Sequence, residues 1–326
     1  MDPQDLMYHK LTYGDVLWFT SLCGSAFGIG LNALLIAAIQ KTGRRLIYSR
    51  LFLVAAVFDL FFSIVEILTQ HQIAVKNGVM FLLPRGVEWI FKDYAFGLNY
   101  VIFAVHCFAY MQGIFVLPAL FRYRFVLAKE SHASPVKIYD GLIAASVGAL
   151  ICAISATVGM YQASKRSWNY YQTMIQRDFA SKFFLYALDI RDAGTIGYFF
   201  GGLLLSVISF VIVILYGRQT FRQPKDEDAK TRVLQAQMTQ GLVFRTLTTL
   251  LFGVGPVTLA AICVVFRFDA EIFGTGMMSS WPWTSPANAL IVLWVIKPFR
   301  RYALSLIGAN IEKNDATLAS PPLLGN

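Results

Sequence analysis

The chain has 326 residues, of which 56% are hydrophobic, 15% aromatic and only 14% charged, against about 45–50% apolar and 25% charged in soluble domains. That composition excludes an ordinary soluble enzyme, a disordered chain, a collagen-like repeat and a disulfide-stapled module, and leaves a membrane protein. A formal net charge of +9 points to nucleic acid as a partner only until the charges are placed along the chain.

A helix needs about 20 mainly apolar residues to cross the hydrocarbon core. Residues 1–15 carry Asp2, Asp5 and Asp15 against Lys10. They read as an extracellular N-terminus and lack the basic opening of a signal peptide. The first span, 16–40, is then an uncleaved anchor; it contains Asn32 and a Gly24-x-x-x-Gly28 spacing that permits close helix packing. Span two, 51–70 (LFLVAAVFDLFFSIVEILTQ), carries Asp59 and Glu66 inside its apolar run.

Span three, 94–121, includes Asn99, His106 and Pro118, and span four is 141–164. The connection from Gln162 to Asp192 is rich in Tyr, Trp and alternating charge, and is read either as a cover over the helices or as a solvated loop. Span five is 193–217. The segment 218–245 turns charged after Pro224 and then becomes helix-prone, so it reads as a cytoplasmic extension of span six, 246–266. Span seven, 272–296, holds Trp281, Trp283, Pro286 and Asn288. Pro118, Pro256 and Pro286 can each kink the helix that carries them.

After span seven, Phe299, Tyr302, Leu306 and Ile307 recur at helical spacing beside Lys297, Arg300 and Arg301. This predicts an interfacial amphipathic helix over 297–313, followed by a disordered cytoplasmic tail, 314–326. The expected fold is therefore an all-α membrane protein with a seven-transmembrane helix bundle spanning 16–296.

Basic residues in short loops stay on the cytoplasmic side. Segments 41–50, 122–140, 218–245 and 297–326 hold 18 of them, and the alternate segments hold 10. The N-terminus is predicted outside and the C-terminus inside. The positive charge is thus one-sided, which removes the case for nucleic acid. Cys23, Cys107, Cys152 and Cys263 all fall within spans, so no extracellular disulfide framework is expected. No set of nucleophile, base and orienting group, no metal-ligand spacing and no phosphate loop occurs outside the spans. Neither an enzyme nor a cofactor or metal site is expected.

Ionisable groups at membrane depth cost about 2.5–3.5 kcal/mol on insertion scales, so Asp59 and Glu66 require partners or a wet cavity. Asn32 and Asn288 lie at depths from which they could bond Asp59. That carboxyl is either neutral or ionised beside water or a cation, and the group is either a structural clasp or a switch. Glu66, Asn99, His106, Trp281 and Trp283 sit where an outward-facing pocket for a small molecule would form.

Three motifs carry a resemblance over nearly the whole chain. They are Tyr48-Ser49-Arg50-Leu51 leading into the acid-bearing second span, Phe121-Arg122-Tyr123-Arg124-Phe125 at the inner end of span three, and Pro286-Ala287-Asn288-Ala289 in span seven. With these motifs the chain resembles the nematode seven-transmembrane chemoreceptors of the Str superfamily and their Srd relatives. It departs from their pattern at Ala289, where a proline is usual, and it lacks the glutamine ahead of the proline in span six. The resemblance implies a G-protein-coupled receptor for an odorant or pheromone-like ligand, at the plasma membrane of sensory neuron cilia. Asp59, Asn32, Asn288, Tyr123 and Arg124 would carry activation and coupling to a heterotrimeric G protein. A transporter with parallel three-helix repeats should show matching halves, yet span six has no acids to match those of span two. A ligand-gated channel of the insect odorant-receptor kind would have the opposite orientation.

Overall fold

The computed structural model describes residues 3–42, 49–83, 86–87, 96–129, 136–164, 171, 186–189, 193–221, 229–270, 276 and 278–306. Its helices are α1 (Pro3–Thr42), α2 (Ser49–Thr69), α3 (Phe96–Lys129), α4 (Val136–Ser164), α5 (Ala193–Phe221), α6 (Ala229–Thr248), α7 (Gly255–Val265), α8 (Thr284–Val295) and α9 (Lys297–Leu306). A π-helical segment, Thr249–Val254, joins α6 to α7, and a 3-10 turn, Trp281–Trp283, leads into α8. Six of the described helical stretches are long and apolar enough to cross a membrane: Asp15–Thr42, Ser49–Thr69, Gly97–Leu127, Tyr139–Gly159, Phe200–Thr220 and Gln235–Val265. The expected seventh span, 272–296, is represented by the shorter α8 and the 3-10 turn before it.

The apolar side chains on the outside of this fold, such as Leu204, Val207, Leu251 and Trp294, make sense only against lipid. α3 is the central helix and packs on α2, α4 and α5, while α1 packs on α2 and α8. Gly28 permits that second contact, since a Cβ at this position would meet the side chains of Ser63 and Ser285. The close-packing reading of the Gly24–Gly28 spacing has this physical basis.

Prolines act differently in the two helices they most affect. α3 runs through Pro118 without a break. At Pro256 the missing N–H cannot bond the Phe252 carbonyl, and the preceding turn widens into the π segment, where Gly255 N–H donates to the Leu250 carbonyl. Two side chains satisfy the loosened carbonyls. Ser280 Oγ donates to Phe252 O at 3.4 Å, and Trp281 Nε1 donates to Gly253 O at 3.0 Å.

The all-α expectation is corrected by a three-stranded antiparallel sheet: β1 (Gln72–Lys76), β2 (Val79–Leu83) and β3 (Tyr186–Asp189), in that order. Asn77 and Gly78 connect the first two strands with φ of 48° and 78°, the two positive values of a tight type I′ hairpin turn. Val75 pairs with Met80, and Met80 with Leu188. Strand alternation therefore sends Ile73, Val75, Met80, Leu82 and Leu188 into one apolar cluster with the helices. Ala74, Val79, Phe81, Leu83 and Ala187 form a second cluster with Tyr171 on the opposite face. Tyr171 also donates its hydroxyl to Asp189 at 2.7 Å. The described part of the 162–192 connection thus covers the hairpin.

α9 covers the first ten residues of the segment 297–313. Phe299 is buried in the main core, Tyr302 packs against it and Leu306 is exposed. Ile307 and the tail 314–326 lie outside the described residues, as do some of the loop residues used to assign orientation.

Candidate functional site

α2 ends where Gln70 takes a φ of 44°, turning the chain so that the next residue, His71, lies over α3. There the His71 and His106 rings stack with centroids 4.5 Å apart, and their Nδ1 atoms approach to 2.6 Å. At that distance one nitrogen donates a proton and the other accepts it. Thr69 Oγ1 lies 3.0 Å from the same His106 nitrogen. On the far side of the ring, His106 Nε2 is 3.0 Å from Glu66 Oε1. That contact is not aligned as a hydrogen bond. Glu66 is thereby supplied with a neighbour at a depth where an isolated carboxylate is costly.

The histidines form one wall of a cavity of about 100 Å³. Ile73, Met80, Leu82 and Leu188 of the sheet roof it, Phe103, Tyr110 and Met111 of α3 line its side, and Trp281 lines it beside Tyr110. Trp281 stacks on Tyr110 at 4.2 Å and lies 6.0 Å from His106. An apolar cavity of roughly 150 Å³ holds benzene, so this space suits a small, mainly apolar molecule with a polar group at the histidine end.

Of the five residues expected at an outer pocket, His106 and Trp281 line the cavity, and Glu66 sits behind His106 without lining it. Asn99 is buried, with no partner for its Oδ1 among the described residues, and it does not line the cavity. Trp283 lies elsewhere. It packs 6.0 Å from Phe27 of α1.

Asp59 lies at the middle of α2, 6% exposed. Its partner corrects the sequence reading. Arg245, expected in a cytoplasmic extension, is 3% exposed and grips both carboxylate oxygens, Nη1 to Oδ2 at 2.6 Å and Nη2 to Oδ1 at 2.8 Å. Helix α6 continues into the apolar stretch, so Arg245 falls at the depth of Asp59 instead of at the interface. A bidentate pair of this kind combines charge with fixed direction. The cation that an ionised Asp59 requires comes from the chain itself.

Asn288 lies beside the same carboxylate. Asn32 does not touch it. Its amide donates to Ser285 Oγ at 2.9 Å and to Gly28 O at 2.9 Å. Ser285 Oγ in turn donates to the Asp59 backbone carbonyl at 2.9 Å, and Ser63 Oγ lies 2.6 Å from Ser285 Oγ. The four elements α1, α2, α6 and α8 thus meet in one buried polar clasp.

At the other end of α3, Arg124 is 4% exposed and donates from Nη2 to Gln235 Oε1 of α6 at 2.9 Å. Its neighbour Tyr123 is buried in the main core. Sequence reasoning missed His71, Tyr110, Ser285, Arg245 and Gln235. An Arg at the edge of an apolar run opposite a buried Asp could have signalled the Asp59 pair, but nothing local marks the others.

A model of the serpentine seven-transmembrane chemoreceptors, described as "Serpentine type 7TM GPCR chemoreceptor Str", matches residues 18–304. The chain is also 22% identical over 312 residues to "Serpentine receptor class r-10" of Caenorhabditis briggsae, covering 87% of this chain and 90% of that one. Together with the apolar helices this makes it an integral membrane protein of a receptor family. The family match spans the cavity, the clasp and the Arg124 contact alike, and the chain belongs to the Str family of serpentine chemoreceptors.

Proposed function

We propose that this chain is a chemosensory G-protein-coupled receptor whose small-molecule ligand binds in the cavity beneath the sheet. One observation carries the reading. Trp281 lines that cavity and also donates its indole N–H to Gly253 O inside the π segment. A ligand that displaces or holds Trp281 changes what stabilises this helical irregularity, whose first residue, Thr249, bonds the Arg245 carbonyl through its hydroxyl at 3.0 Å.

Conversion of the π turn to α geometry removes the extra residue from the wide turn and rotates one half of the helix against the other. Arg245 would then leave Asp59, and Gln235 would leave Arg124. The freed inner ends of α3 and α6 offer a surface to a heterotrimeric G protein, with Tyr123 and Arg124 at its edge. The ligand supplies the energy only through differential affinity for the two arrangements. Asp59 is in this reading a switch element as well as a clasp, with Asn32 and Asn288 supporting it.

Seven spans, with α8 and the turn before it in the seventh, and an outside N-terminus fit the excess of basic residues on the alternate loops. The plasma membrane of sensory cilia fits the family. Expression in heterologous cells with a second-messenger readout, screened against volatile and soluble compounds, tests the proposal. An agonist response that Arg124→Ala abolishes without loss of surface protein supports it, and a response untouched by Arg124→Ala removes the coupling role.

A further inference from the structure

The sheet that roofs the cavity is buried on both faces. Ile73, Met80, Leu82 and Leu188, which look into the cavity, are between 2% and 6% exposed, and Phe81 on the other face is fully covered. The roof is also tied down. Asn77 N–H donates to Asp269 Oδ1 at 2.9 Å, and Ala270 N–H donates to the Val75 carbonyl at 3.0 Å, which fixes the free edge of β1 to the chain leaving α7. Opening this side to water would uncover two apolar clusters.

The side of the cavity between α5 and α7 is built differently. Gly202, Leu203 and Ser206 of α5 line it, and Val257 and Ala260 of α7 line it from across the gap. α5 packs on α3 and α4, with no comparable helix packing to α6 or α7 among the described residues. Leu203 and Val257 are only half-buried. Outside them, Leu204, Val207, Leu259 and Ile262 form a fully apolar exterior that faces lipid.

We infer that the cavity is filled from the bilayer, through a portal between α5 and α7 rimmed by Leu203 and Val257, and that its ligands are uncharged molecules that partition into lipid. The inference rests on the cavity being the ligand site, but the route can be measured without any ligand or signalling. Cys107 lines the cavity and serves as the reporter.

The full chain with Cys23, Cys152 and Cys263 replaced by Ala is reconstituted in phosphatidylcholine vesicles. Labelling of Cys107 is timed with neutral N-ethylmaleimide and with a negatively charged sulfonatoethyl methanethiosulfonate, each normalised to its rate on a small free thiol. The charged reagent is expected to be slower by roughly a hundredfold, the penalty for carrying a charge through hydrocarbon. Leu203→Trp and Val257→Trp, which add bulk at opposite rims, should each slow the neutral reagent by about tenfold or more, the effect of closing a path whose bulk the cavity cannot absorb. Asp269→Ala, which unties the roof, should leave that rate unchanged. Equal normalised rates for the two reagents, or neutral labelling unaffected by both rim variants in chains that elute as folded monodisperse protein, would overturn the portal. If the portal holds while no cavity-directed ligand activates the receptor, the proposed function fails and the access route stands.

Discussion

The cavity under the sheet and the clasp around Asp59 are both buried in the helix bundle, yet they are made of different materials. The cavity is walled by ring faces and aliphatic side chains, with two histidines that hold each other and a volume left empty. The clasp binds four elements through a bidentate ion pair, an amide network and two shared serine hydroxyls. Polar groups bonded to one another hold helices together, whereas an empty apolar volume can hold something else. The π segment lies between the two regions and is bonded to both.

The strongest way to break this contrast is to attack the clasp. Arg245→Leu leaves the Asp59 carboxylate buried without its cation and should destabilise the chain by about 3–5 kcal/mol, whereas pairing it with Asp59→Leu should recover most of that loss. Thermal unfolding of the detergent-solubilised receptor, followed by size-exclusion recovery, measures both. Ser285→Ala removes the hydroxyl on which Asn32 and Ser63 converge; leaving buried partners unsatisfied should cost about 1–3 kcal/mol, read in the same assay. In the roof, Gly78→Ala forces a Cβ into a positive φ of 78°, at a cost of roughly 1–2 kcal/mol. Trp281→Phe has the smallest expected effect on stability, about 1 kcal/mol for one hydrogen bond. It should nevertheless lower the maximal agonist response, because it removes the indole hydrogen bond from the cavity wall to the π segment. A full response from Trp281→Phe at normal surface density would separate the two regions functionally.

How much of this was legible in the sequence depends on how far apart the interacting residues are. Five of the six long apolar helices overlap the expected spans closely, because apolar length is a local property. The sixth begins well before the expected 246, because Arg245 was taken as a boundary charge. Its partner Asp59 is 186 residues away, and no local pattern announces that an arginine is to be buried against it. The hairpin is a different case. Asn77-Gly78 between the apolar runs Ile73–Val75 and Val79–Leu83 is a strong local turn signal, but a reading organised around stretches of about 20 residues passes over it. Of the outer site, His106 and Trp281 could be placed by depth alone. His71 could not, since its position over His106 depends on the left-handed turn at Gln70.

The central claim is that the space beneath the sheet is where the ligand sits, and filling that space tests it most directly. With an agonist from the heterologous screen, concentration–response curves are compared for Leu82→Trp, which adds bulk from the roof into the cavity, and Leu290→Trp, which adds it to a lipid-facing position on α8. Both are expressed to equal surface density. Leu82→Trp should shift the curve to higher concentration by about tenfold or more, the loss expected when a well-fitted apolar site is overfilled by 1–3 kcal/mol, and Leu290→Trp should leave it in place. A response in Leu82→Trp that matches the unsubstituted receptor would contradict the account.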